Sequence, residues 1–333
     1  MIKKLLKTAL VLSTIATIAF GAEATRFNVV DGNAEAQYNS MINKKIGSVG
    51  FVLSDPHERI NDAYKKKYGS KTLDDGKPND AYDSAWEETL DNLGFFSIAN
   101  DVKLRELLIT NPELGGFSPF NLHVYKKKNE NKTYVGHLAP TVMLDIVGVK
   151  DAAVRTKFAA MFPALDELVQ KEIGGKVETT EYTTLPATPM MNFEITFDRP
   201  ADLTEYIDEF QGNFEAAFEE KKYIIAGYKN FKESYNDLEL DFGKYDAYFV
   251  YSLCHFTYSY NIFNKGRPDA GAFAPCSMYM YIEKDSNKLI IGMPKLANWT
   301  AVLNMKDEVM NKSVEDLDKE IIEIMIGLGA KEI

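Results

Sequence analysis

This 333-residue chain has few of the groups that point to a reaction. Its two cysteines, Cys254 and Cys276, lack the C-x-x-C spacing of thiol oxidoreductases. No glycine-rich phosphate loop, nucleophile elbow or zinc-binding helix motif occurs, so no named catalytic class has a motif to rest on. His57, His123 and His137 belong to no motif, and the many carboxylates show no pair spaced for acid–base work. Positive charge is also short, with 38 Lys and Arg against 49 Asp and Glu, a formal charge of −11. A chain this acidic repels phosphate backbones and anionic headgroups, so no nucleic-acid partner is expected. The run Lys126-Lys127-Lys128 reads as a solvated strand end beside a turn. Beyond the N-terminus no apolar run is long enough to span a bilayer, and no stable membrane insertion is expected.

What is present begins with residues 1–24, which read as a signal peptide. Lys3, Lys4 and Lys7 precede the apolar stretch Ala9 to Phe20, and Ala22-Glu23-Ala24 supplies small residues for cleavage. The mature chain is then expected to start at Thr25 and to be exported, in a bacterium to the periplasm. Loss of those three lysines and Glu23 takes the formal charge from −11 to −13. The remaining length suits two domains of ordinary size.

An internal repeat gives the same count. Residues 112–136 and 268–292 align without a gap at an offset of 156 and agree at nine of 25 positions, including Gly115/Gly271, Pro119/Pro275 and Gly136/Gly292. Chance would leave about one or two matches. In the second copy Cys276, Met278, Met280 and Ile282 alternate with Ser277, Tyr279 and Tyr281, a strand that turns at Asp285-Ser286-Asn287 and returns as Leu289 to Ile291. Copy one shows Phe120, Leu122 and Val124 on the corresponding face. A closing helix follows in each copy, with Val154, Phe158, Met161 and Leu165 matched by Met310, Val314, Leu317 and Ile321. Pro163 is expected to break the first of these helices, and its counterpart Lys319 is not.

Reading backwards, Val49 to Leu53 and Asn192 to Phe197 are taken as the opening strands, with Asp55-Pro56 and Pro200 starting helices. That places an insertion of about twelve residues in copy one around Ser70 to Asp80. Residues 25–174 then form the first domain, 175–190 a Thr- and Pro-rich linker and 191–333 the second domain. Each is expected to be an α+β unit, a mostly antiparallel sheet with helices packed on it.

Ala274-Pro275-Cys276-Ser277 followed by an alternating strand, with Cys254 ending the strand before, resembles the family of domains of unknown function 302 (DUF302). The resemblance covers 191 to 330 and, through the repeat, 49 to 174. It implies a small α+β fold that pairs into dimers, here the two copies pairing with each other, and it brings no established activity or cofactor. Copy one departs from the motif, with Phe120 at the place of Cys276 and, at the same offset, Ile98 at that of Cys254.

Cys254 and Cys276 are therefore the leading candidates for chemistry. An exported protein meets an oxidising compartment, where the two would form a disulfide staple. A redox-active pair is the sharper alternative, since Cys254 precedes a helix whose N-terminus would lower a thiol's pKa. A soft-metal site for copper would draw on Cys254, His255, Cys276, Met278, Met280 and Met293. Against it, Met278 and Met280 share the core face, and His255 is expected to point away from Cys254. Tyr279 and Tyr281 leave the opposite face, where they suit a ligand, a partner or the other copy. The leading expectation is a non-catalytic protein that binds a small ligand or a partner, without metal or cofactor.

Overall fold

The computed structural model describes residues 21–57, 60–86 and 89–333. The start of the proposed signal peptide, residues 1–20, lies outside them. The fold is α+β, built on two antiparallel six-stranded sheets. In the first half β1 (Ala22–Asp31), β2 (Val52–His57), β3 (Leu90–Ala99), β4 (Phe120–Lys127), β5 (Lys132–Leu138) and β6 (Lys176–Tyr182) lie in the order β2-β3-β4-β5-β1-β6. In the second, β7 (Met190–Thr196), β8 (Tyr223–Asn230), β9 (Tyr245–His255), β10 (Cys276–Glu283), β11 (Lys288–Pro294) and β12 (Lys331–Glu332) lie in the order β8-β9-β10-β11-β7-β12. Taken strand for strand, the two orders are the same.

Helices fill the connections at matching places. The first half has α1 (Glu35–Lys45), α2 (Ile60–Tyr68), α3 (Asp101–Thr110), α4 (Pro140–Ile146), α5 (Ala152–Ala159) and α6 (Pro163–Glu172). The second has α7 (Leu203–Glu220), α8 (Phe231–Asp237), α9 (Phe256–Phe263), α10 (Ala297–Val302) and α11 (Glu308–Gly327). Pro163 acts as expected. It opens α6, so that the closing helix of the first half is broken in two, whereas α11 runs through Lys319 unbroken. In α7, Phe210, Phe214 and Phe218 form the buried stripe, capped at the start by Asp202, whose side chain accepts from the Thr204 N–H.

The strand register corrects the alignment of the two halves. Gly136 faces Phe27 and Gly292 faces Asn192, so the opening strand of the first half is β1, ahead of Val49 to Leu53. Val52 to His57 corresponds instead to β8: each carries a bulge at the same place, between Leu53 and Asp55 and between Ile225 and Gly227. Asp55-Pro56 thus belongs to a strand, and Pro200 lies before α7 rather than opening it. From Leu53 to Ile98 is 45 residues and from Ile225 to Leu253 is 28, an excess of 17 where twelve were expected. The expected linker is half strand, since Lys176–Tyr182 pairs with β1. Its Thr side chains serve an edge strand as well as a loop, and composition does not separate the two. Ala22–Ala24, the expected cleavage site, falls within β1.

The halves meet through their repeated motif. A 3₁₀ turn, Pro112–Phe117, lies on β10, and its counterpart Pro268–Phe273 lies on β4. Gly115 sits against Tyr279, and Gly271 against the ring of His123. Across this contact Tyr248 Oη donates to Pro112 O at 2.5 Å, Ser277 Oγ to Pro119 O at 3.2 Å and Tyr245 Oη to Leu108 O at 2.8 Å. Lys229 pairs with Asp101 at 2.9 Å, nearly out of solvent, and the Tyr68 and Tyr260 rings stack at 3.9 Å.

Candidate functional site

The register also moves the counterpart of Cys254. Ser97 faces Asn121 in the first half and Ser252 faces Ser277 in the second, so Cys254 corresponds to Ala99 and not to Ile98. Asn100 and His255 agree with this, each being the residue whose side chain caps the next helix. The gapless offset fails here because the stretch from the start of α9 to the following 3₁₀ turn is one residue longer than its counterpart from the start of α3.

Cys276 faces Leu253 across the ladder, and Cys254 is one step further along its strand. Strand alternation sends side chains one step apart to opposite faces of a sheet, which is why this register favours no disulfide. Both cysteines are free thiols. They nonetheless reach one pocket, because it lies at the open end of the sheet, between β9, β10, α9 and α11. The pocket is apolar, walled by Leu253, Ile262, Trp299, Leu317 and Ile321, with Met293 on β11. Its free volume is about 30 Å³, room for little more than a small group.

Electrostatics in the pocket favour neutral groups. Burial first pushes the Cys254 thiol up, only partly offset by the Ser259 hydroxyl at 3.6 Å. Cys276 is pushed up further, by burial, by Cys254 and by Asp318. The helix start that was expected to activate Cys254 is real, yet desolvation outweighs it. His255 is held below its ordinary value by burial, against the pull of Glu320. Its Nδ1 accepts from the Tyr258 N–H at 3.5 Å, and contrary to expectation it lines the same pocket as Cys254. Two equivalents of thiol should therefore react with maleimide in denaturant without reductant, and native protein at pH 7 should react slowly. Zero equivalents would establish a disulfide, and fast native labelling would contradict the raised thiols.

Two polar atoms at the rim face each other. The Tyr223 hydroxyl, on a side chain 5% exposed, and Glu320 Oε1 are both out of solvent. After burial, the Glu320 carboxylate raises the Tyr223 pKa through its charge and as hydrogen-bond acceptor for the hydroxyl. Outside them lies an open polar vestibule of about 550 Å³, lined by Lys221, Lys222, Glu220 and Glu320 and joined to the pocket at His255 and Tyr258.

The same place in the first half is filled. Phe51 stands where Tyr223 does, Phe120 where Cys276 does and Phe162 where Asp318 does. Phe51 and Phe120 meet edge to face at 5.8 Å, and Phe120 and Phe162 lie 4.9 Å apart. His137, at the position of Met293, packs on both Phe120 and Phe162 and bonds Asp166 at 2.9 Å.

The remaining candidates sit elsewhere. Met278 and Met280 are fully buried core residues. Tyr279 is buried at the contact between the halves and Tyr281 is half-buried beside it, the two rings stacked 6.3 Å apart. The glycine at 115 lets the opposing turn close over Tyr279, so the aromatic face is covered rather than open. Among the described residues no three His, Cys, Asp or Glu side chains gather as metal ligands, and no helix is long and apolar enough to cross a membrane. The His57 side chain lies outside what is described.

Sequence reasoning missed Tyr223, Glu320 and Trp299. It also missed His123, fully buried between Gly94 O at 2.9 Å and Pro268 O at 2.8 Å. One signal was available: at the offset of 156, Phe120 becomes Cys276 and Phe162 becomes Asp318, two ring losses in one half. Tyr223 had none, because its partner Phe51 emerges only from the ladder.

No protein-family model matches the chain, and no curated protein matches it. Among solved structures, an uncharacterized conserved protein DUF302 from Bacillus stearothermophilus is similar, at 17% identity over 41% of this chain and 96% of that one, with a TM-score of 0.34. It bears the family name that the Pro-Cys motif resembles. A likeness at that level assigns no role to any residue.

Proposed function

We propose that this is a non-catalytic, exported binding protein whose second half holds a small, mainly apolar ligand in the pocket between Cys254 and Cys276. One observation carries the reading: Cys276 lines the pocket in the second half where the larger Phe120 stands in the first, packed against Phe51 and Phe162. Cores pack close to crystal density, so a hollow retained in one of two matching folds asks for an occupant. The first half then acts as scaffold, and the two halves serve as each other's partner within a monomer. Light scattering should give the mass of one chain. Export is tested by N-terminal sequencing of the secreted chain, expected to begin at Thr25.

A thiol-redox role would use the same two cysteines. The raised thiols oppose it, since the thiolate is the reactive form.

Xenon is a suitable probe of an apolar pocket. The chain has two tryptophans, and Trp299 lines the pocket. Xenon should shift the Trp299 indole resonance and leave that of Trp86 in place. Cys276→Phe, which copies the first half, should abolish the shift, with Cys276→Leu as the gentler variant if the ring does not fit. An unmoved Trp299 in the wild-type chain would contradict the proposal.

A further inference from the structure

The pocket's size and its hydrogen bonds together limit what can enter it. Its free volume is about 30 Å³. A water takes about 10–15 Å³ of such space, which leaves room for about two or three heavy atoms. The polar groups on the walls are already engaged. Ser259 Oγ donates to Phe256 O at 3.0 Å, so its oxygen accepts from Tyr64 Oη, contributed by the first half, at 3.0 Å and from the Cys254 thiol at 3.6 Å. His255 Nδ1 accepts from the Tyr258 N–H, and the Tyr223 hydroxyl has the Glu320 carboxylate. Cys276 is left, and a thiol is a weak donor and a weak acceptor. A buried water asks for two to four polar partners, so this space suits an apolar guest better than a water.

We infer that the pocket takes a dissolved gas, an uncharged molecule of about two or three heavy atoms with no hydrogen-bonding group. This rests on the pocket being a ligand site. A hydroxyl or an amine of the same size gives up its bonds to water and meets only the Cys276 thiol in return. A longer chain overlaps the walls. Entry is from the vestibule, which shares His255 and Tyr258 with the pocket. The first half offers no such space, because Phe120 stands at the place of Cys276 and packs on Phe51 and Phe162.

The test uses the full chain, labelled on its two tryptophan indoles and exposed to xenon, ethane, n-butane and methanol. Ethane should shift Trp299 saturably and leave Trp86 in place. Methanol, which differs from ethane in its hydroxyl, should bind about ten-fold or more weakly. n-Butane should leave the wild-type chain unchanged, and Cys276→Ala, which removes the sulfur from the wall, should admit it. Methanol or n-butane binding the wild-type chain as tightly as ethane would overturn the inference while xenon still upheld the pocket. A folded Cys276→Ala chain that still excludes n-butane would also overturn it, because the size limit would then lie outside the pocket. The wild-type comparisons stand without the variant. Failure of xenon as well would remove the pocket reading and this inference together.

Discussion

Gly271→Ala is expected to destabilise the protein by about 3 kcal/mol, the upper end for overpacking a well-filled site. A methyl built on Gly271 overlaps the His123 ring, which is fully buried with a backbone carbonyl facing each nitrogen, one of which accepts from the single N–H of the neutral ring. The ring therefore has no free rotamer to yield into, and the turn Pro268–Phe273 must lift off β4. Gly115→Ala makes the same conflict with Tyr279, its Cβ falling 2.6 Å from that of the tyrosine. Urea unfolding of Gly271→Ala, His123→Ala and the double variant separates contact from general damage. The double variant should be less destabilised than the two single changes added together, because removing the ring removes the clash. Strict additivity would contradict the docking of Gly271 on His123.

The second large effect is on pH dependence. Burial, against the pull of the carbonyls of Pro268 and Gly94, takes His123 from 6.5 down to about 4. Its contribution is thus whole above pH 6.5 and is lost as the pH falls toward 4, about 3 kcal/mol in all. Asp318 runs the other way. Burial raises it from 3.8 to about 6 even though it accepts from the N–H groups of Leu296 at 2.7 Å and Ala297 at 3.0 Å. Its contribution is whole below 3.8 and is lost as the pH rises to 6, again about 3 kcal/mol. Between pH 4 and 6 the two slopes oppose each other in the wild-type chain. Relative to wild type, His123→Gln should gain stability as the pH falls from 6.5 to 4, and Asp318→Asn should gain as it rises from 4 to 6. Chemical unfolding of the three chains across that range gives the comparison. Curves that stay parallel would show that neither group titrates as its burial implies.

These two residues mark where sequence reasoning stopped. Alternation and helical periodicity made the hairpins, the closing helices and the Pro163 break legible, because each depends on neighbours along the chain. The fold class followed from them. The equivalence of β1 with β7 did not, since helix α7 is longer than α1 and only the ladder pairing of Phe27 with Gly136 and Asn192 with Gly292 fixes it. His123 belonged to no motif, and Tyr279 stands opposite it in the repeat, so the sequence marked neither position as special. In fact both positions receive the other half's glycine, a fact of tertiary contact. The candidate site was half legible. Cys254 and Cys276, singled out in the sequence as a pair, both line one pocket, but the expected disulfide ignored a register that sets them one step apart. Tyr223 and Glu320 come from β8 and α11, elements nearly a hundred residues apart, which no motif spacing joins.

A crystal pressurised with xenon tests the central claim most directly, because it interrogates both halves in one molecule. The account predicts a xenon atom beside Cys254, Cys276 and Trp299 and none among Phe51, Phe120 and Phe162. Equal occupancy of the two places, or xenon in the first half alone, would contradict it.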